Sequence, residues 1–135
     1  MTRSDRSRRL RIAFFSLGAF VIYGAWACFA NRSHGLHAML SAGFTQGLMS
    51  LLSTALLTSA MEKVFVSLAP GKARFFITGL IPITLVTLLM FGVHVVAGTP
   101  EALPTVMPSA VFGGLYAILY TFGLTRLTAP EPADS

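Results

Sequence analysis

Four long apolar blocks dominate this chain and limit what it can fold into. They are 19, 22, 22 and 19 residues long and hold almost no charge: Ile12–Ala30, Met39–Ala60, Phe75–Val96 and Val106–Leu124. An α-helix needs about 20 apolar residues to cross a hydrocarbon core of roughly 30 Å. The blocks fit that length, and a soluble domain would have too little polar surface for four such helices. The sequence therefore predicts a small polytopic membrane protein.

The predicted fold is all-α, a single transmembrane domain over residues 1–135 that forms a four-transmembrane-helix bundle. The helices are expected at about 12–30, 37–61, 75–96 and 106–125. The ends, 1–10 and 128–135, are polar or Pro-rich and are expected to be disordered. Parts of the two halves match, such as Ser41-Ala42-Gly43-Phe44 and Ser109-Ala110-Val111-Phe112. The bundle is therefore either two parallel helical-hairpin repeats or a chance match within a small apolar alphabet.

The basic residues lie almost entirely on one side of this arrangement. Of the ten Lys and Arg residues, five precede the first block, three lie between the second and third, and one follows the fourth. Only Arg32 lies in a loop on the other side. Short loops rich in Lys and Arg stay in the cytoplasm, so both termini are expected there, in a bacterium at the cell inner membrane. Topology and contact with anionic membrane lipids explain the net charge of +5, and nucleic acid is not an expected partner.

The second block has one polar face. At about 100° per residue, Gln46, Ser50 and Thr54 share an arc with Gly43, and bulky apolar residues occupy the opposite arc. Polar side chains in hydrocarbon find partners on neighbouring helices, and the GxxxG pair of Gly43 and Gly47 permits close helix approach. This face is therefore expected to point into the bundle. It acts either as a packing contact between helices or as a substrate path with Gln46, Ser50 and Thr54 as binding residues.

Most of the remaining ionisable residues are expected at the outer ends of the helices. If the helices pack in sequence order, Arg32, His34, His37, His94 and Glu101 converge there. Ionisable groups at membrane depth tend to be functional, so these five are candidate substrate- or lipid-binding residues. His34 and His37 could also ligate Zn²⁺ or Cu²⁺ with His94 or Glu101, but an HxxH pair alone leaves metal binding unknown. Surface histidines, a loop salt bridge or contact with lipid phosphate explain the same residues.

Enzyme motifs are absent from the sequence, which has no GxSxG, Walker, CxxC, HExxH or paired-carboxylate pattern. The chain is therefore expected not to be an enzyme and to use no cofactor. The leading interpretation is a membrane protein that binds or helps to translocate a small or lipid-like substrate, as a homo-oligomer or with a partner membrane protein. The alternatives are an accessory or scaffolding subunit of a larger membrane complex and, less favoured, a membrane enzyme with its site at the outer mouth.

Overall fold

Four α-helices make up most of the structure. The computed structural model describes the backbone of residues 3–127 and the side chains of residues 17–127. The helices are α1 (Arg3–Ala30), α2 (Leu36–Ser67), α3 (Lys72–Val96) and α4 (Ala102–Leu127). A short 3-10 turn, Arg32–His34, connects α1 to α2. The prediction of an all-α fold with four helices is confirmed for the part of the chain that is described.

Helix α1 is longer than the apolar block that predicts it. It begins at Arg3, whereas the first apolar block begins at Ile12. The disordered end expected over 1–10 stays a prediction. Arg and Leu are good helix formers, and a helix that has already nucleated extends at little cost. The prediction for 128–135 lies outside the described residues.

Helices α2 and α4 also extend beyond their apolar blocks. α2 continues to Ser67 because Met61 and Phe65 prolong its buried face and no Gly or Pro interrupts it. In most proteins tertiary packing of such a face supplies the greater part of helix stability. α4 begins at Ala102, and Pro104 occupies its third residue, where an N–H has no intrahelical partner to lose.

Three of the helices, α2, α3 and α4, are long enough and apolar enough to cross a membrane. They present large apolar side chains to the surroundings, and Leu85, Val111 and Ile118 are each more than half exposed. These features indicate a membrane-embedded protein. In α1 the apolar segment with described side chains is Leu17–Ala30, so a membrane crossing by 12–30 stays a prediction.

The helices pack in sequence order with neighbours antiparallel. α1 packs most extensively on α2, α3 packs on both α2 and α4, and α4 also meets α1 and α2 less extensively. The α2–α3 connection and the end of α4 therefore lie together at one end, which also holds the start of α1. This basic end carries Lys63, Lys72, Arg74 and Arg126. The opposite end, called the His34 end below, holds the α1–α2 and α3–α4 connections.

Helices α1 and α2 cross closely at two glycines. A Cβ atom built on Gly43 would overlap Cys28 Sγ, and one built on Gly47 would lie 2.8 Å from the ring of Phe20. Neither position has room for a side chain. The GxxxG pair therefore faces a neighbouring helix as predicted, and Leu48 on the opposite face of α2 is exposed.

The interior has an apolar part and a polar part. The apolar core joins α2, α3 and α4 through Leu57, Met61, Val86, Met90, Val106 and Ala117. A polar cluster lies toward the His34 end, and its buried members are Asn31, Gln46, Ser50, His94, Thr99 and Thr105. Because a buried polar group is costly unless it is hydrogen-bonded, the partners of these residues decide what this region can do.

Candidate functional site

Gln46 and His94 form a hydrogen-bonded pair in the interior. Both residues are 0% exposed. His94 Nε2 lies 2.7 Å from Gln46 Oε1, and Gln46 Nε2 donates to Ser109 Oγ at 2.6 Å. An amide oxygen can only accept, so the Nε2 of His94 donates. One chain of hydrogen bonds therefore joins α3, α2 and α4.

The other ring nitrogen of His94 contacts the loop that follows α3. Nδ1 lies 2.9 Å from Thr99 Oγ1, and the Thr99 N–H donates to the His94 carbonyl at 2.9 Å. Gly98, with a φ of 69°, provides the left-handed turn that returns the chain to α3. A neutral ring protonated at Nε2 accepts the Thr99 hydroxyl at Nδ1. Both ring nitrogens then have partners without a net charge in the interior.

Asn31 joins the two connections at the His34 end. It is fully buried, and its Nδ2 lies 2.9 Å from the Ala27 carbonyl and 2.8 Å from Thr105 Oγ1. Its Oδ1 accepts from the Glu101 N–H at 3.0 Å. Helix α4 starts directly after Glu101, where backbone N–H groups have no intrahelical partner. One amide side chain therefore links the end of α1 to the start of α4.

The residues predicted to form the outer mouth occupy different environments. His34 Nε2 lies 3.0 Å from Glu101 Oε1, with the two side chains 37% and 42% exposed. Arg32 turns back toward the end of α1, where it donates to the Phe29 carbonyl at 2.8 Å and lies over the Phe29 ring. His37 is exposed and has no hydrogen bond or ion pair among the described residues. Exposed pairs such as His34–Glu101 contribute about 0–1 kcal/mol.

The five predicted residues are therefore not brought to one point. His34 meets Glu101 at the surface, whereas His94 is buried and bonds to Gln46. Among the described residues, no three His, Cys, Asp or Glu side chains form a group that could hold a metal ion. The arrangement gives no support to an ion held by His34 and His37 with His94 or Glu101.

A central cavity of about 180 Å³ adjoins the Gln46–His94 pair. All four helices line it, and Ser109, which hydrogen-bonds to Gln46, is one of the lining residues. The hydroxyl-bearing residues of the lining are Tyr23, Ser50, Ser53, Thr54, Thr87, Ser109 and Tyr116. No lining residue is charged. Since a water molecule occupies about 30 Å³, the cavity has room for a few waters or one small organic group.

The hydroxyl groups of α2 are able to accept hydrogen bonds from a molecule in the cavity. Ser50 Oγ donates to the Gln46 carbonyl at 2.8 Å, and Ser53 Oγ donates to the Ser50 carbonyl at 3.3 Å. A hydroxyl that donates in this way keeps lone pairs for another donor. Thr54 is exposed at the side of α2 but also lines the cavity. Of the predicted α2 residues, Ser50 and Thr54 therefore line the cavity, and Gln46 lies at its edge.

Sequence reasoning missed Ser109 and Thr99 as partners of the buried pair. Thr99 follows Gly98 in a loop, and Ser109 lies four residues before the glycine pair that begins at Gly113 on α4, so each had only a weak local signal. The chain has no match among protein-family models, curated proteins or solved structures. The interpretation of this site therefore depends on its own geometry.

Proposed function

We propose that this chain is a non-enzymatic integral membrane protein that binds or helps to translocate a small, uncharged or lipid-like molecule through the central cavity. The observation that carries the proposal is a lining drawn from all four helices whose polar groups are hydroxyls and whose charge is zero. Moving an unpaired ion into such a lining would cost many kcal/mol, whereas a neutral hydrogen-bonding group meets acceptors there.

In this proposal the Gln46–His94 pair forms a gate at the edge of the cavity toward the His34 end. Its hydrogen bonds connect three helices, and Ser109 belongs both to this chain of bonds and to the cavity lining. A solute with a hydroxyl group could replace one of these bonds by another of similar strength. Separating Gln46 from His94 would then cost less free energy than leaving their polar groups without hydrogen-bond partners in hydrocarbon.

The proposal of a non-enzymatic role draws on the composition of the cavity lining. The lining contains no carboxylate or imidazole that could act as a base toward its hydroxyl groups, and no thiol. Ser109 is hydrogen-bonded to the amide of Gln46 rather than to an imidazole. A serine without an adjacent base is a weak nucleophile.

The proposed location is a bacterial inner membrane with the basic end in the cytoplasm. Lys63, Lys72, Arg74 and Arg126 lie at that end, and Arg32 is the basic residue at the other. The five arginines before the first apolar block add to the same side. Lys and Arg in short loops favour the cytoplasmic side, which would put His34 and Glu101 outside.

Native mass spectrometry of the purified protein in a gentle detergent tests the proposal. We expect a bound small molecule that is lost from Ser53→Leu, because leucine fills part of the cavity that Ser53 lines. Ser59→Leu is the matched control, since Ser59 is exposed on the same helix. Retention of the molecule by folded Ser53→Leu would contradict the proposal. Co-purification of a fixed protein partner with no small molecule would favour an accessory subunit instead.

A further inference from the structure

The central cavity adjoins a larger groove between α1 and α4. This groove has a volume of about 930 Å³, and its lining is almost entirely apolar. Ala19, Tyr23 and Phe112 line both the groove and the cavity. Gly18 also lines the groove, and a Cβ atom built there meets nothing within 4 Å. The polar cavity and the apolar groove therefore meet at these three shared residues.

A backbone feature joins α1 to α4 beside this groove. Pro108 has no N–H, so the Pro104 carbonyl one turn earlier lacks the donor that an α-helix normally supplies four residues later. Trp26 Nε1 donates to that carbonyl at 2.9 Å. Trp26 and Pro108 both line the groove. α1 and α4 are therefore held together at the His34 end, while their mutual contact is much less extensive than that of α1 with α2.

We propose that the molecule bound by the central cavity is an uncharged lipid with a small hydroxylated head, such as a monoacylglycerol, and that it enters sideways between α1 and α4. The inference rests on the proposed function of the cavity. The head lies in the cavity among Ser50, Ser53 and Ser109, and the hydrocarbon chain lies in the α1–α4 groove against Ile22 and Trp26. The cavity and the groove meet at Ala19, Tyr23 and Phe112. The polar head and the apolar chain of such a lipid are likewise directly joined, so one molecule can occupy both spaces.

The chemistry of the two linings selects this class of lipid. Seven hydroxyl-bearing residues line the cavity and no charged residue does, so a phosphate or carboxylate head would lose its hydration without gaining an opposite charge. A volume of about 180 Å³, about six times that of a water molecule, fits a glycerol head. The nearly apolar groove matches a hydrocarbon chain.

A second apolar groove, between α2 and α3, provides a comparison. Its volume is about 720 Å³, and Leu48 and Leu88 are among its lining residues. It shares no lining residue with the central cavity. A lipid chain resting there would meet no residue of the cavity lining, so of these two grooves the one between α1 and α4 suits both parts of the ligand.

Trp26 is the only tryptophan of the chain and provides a fluorescence probe inside the groove. A monoacylglycerol brominated on its chain, added to the full-length protein in detergent micelles, should quench Trp26 saturably. The unbrominated lipid should reverse the quenching. The unbrominated lipid with a phosphate on its head should not reverse the quenching. Equal competition by the phosphate lipid would overturn the assignment of an uncharged head.

Two substitutions test the sideways route. Ala19→Phe fills the boundary between groove and cavity and should weaken saturable quenching roughly tenfold or more. Ala55→Phe, on an exposed position of α2, should leave it unchanged. Phe112→Ala removes an exposed ring from the same boundary and should speed the onset of quenching several-fold in stopped flow. Onset unchanged in Phe112→Ala would overturn the route even if Ala19→Phe did not fold.

Mass spectrometry separates this inference from the proposed function. Monoacylglycerol retained by wild type and lost from Ser53→Leu, but without quenching of Trp26, would leave the cavity site intact and overturn the α1–α4 route. A different small molecule bound in the cavity would likewise overturn only the lipid assignment. If folded Ser53→Leu retained whatever wild type binds, the proposed function itself would be contradicted.

Discussion

Replacing Trp26 should destabilise the protein by an amount that depends on a proline in another helix. Trp26→Phe keeps an aromatic ring but removes the N–H that donates to the Pro104 carbonyl at 2.9 Å. That carbonyl lacks its usual helical donor because residue 108 is a proline, and a hydrocarbon environment would offer no donor in its place. Hydrogen bonds between membrane helices contribute about 0.6 kcal/mol on average and up to about 1.7 kcal/mol. With some lost packing, we expect the free energy of unfolding to fall by roughly 1–2 kcal/mol.

Restoring the helical hydrogen bond should remove part of this cost. Pro108→Ala supplies an N–H four residues after Pro104, so the carbonyl gains a partner within α4. The substitution itself should stabilise α4, because alanine is a far better helix former than proline. In that background we expect Trp26→Phe to cost about 0.5–1.5 kcal/mol less than in wild type, and this difference is the coupling energy between the two sites.

The coupling energy can be measured by SDS titration of dodecyl maltoside micelles, with helix content followed by far-ultraviolet circular dichroism. The four proteins are wild type, Trp26→Phe, Pro108→Ala and the double variant. Pro82→Ala is the control background, since it makes the same change inside α3 at a buried proline. Trp26→Phe should cost as much there as in wild type. If Trp26→Phe lowers the free energy of unfolding equally in wild type and in Pro108→Ala, the Trp26 hydrogen bond does not compensate for the donor missing at residue 108. That result would refute the prediction.

Two further predictions concern helix packing and orientation. Gly43→Leu should sharply reduce the yield of monodisperse protein in size-exclusion chromatography because Gly43 has no room for a side chain. Leu48→Ala, which loses only exposed contacts, should have little effect, and equal yields would mean that the wrong face of α2 is buried. In a Cys28→Ser background, cysteine at Ser33 should react with a membrane-impermeant thiol reagent in intact cells. Cysteine at Gly71 should not react. The reverse labelling pattern would mean that the protein has the opposite orientation in the membrane.

The sequence by itself determined the features that depend on neighbouring residues. The apolar blocks predict the four helices, because the length and composition of a segment decide whether it can lie in hydrocarbon. The polar face of α2 also followed from the sequence, since helical spacing alone places Gln46, Ser50 and Gly43 on one side. The boundaries were less accurate. Polar residues next to an apolar block continue a helix without changing the hydropathy pattern that reveals it, as the start of α1 at Arg3 shows.

Only the tertiary structure decided which polar groups meet. The sequence suggested that His94 joins the residues of the outer mouth, but the rotation of α3 buries it against Gln46, 48 positions away. Asn31 bonds to Thr105 across 74 positions, and Trp26 to Pro104 across 78. Such pairs depend on the rotation and axial position of each helix relative to its neighbours. Those are set by the packing of all four helices together, and no local pattern in the sequence encodes them.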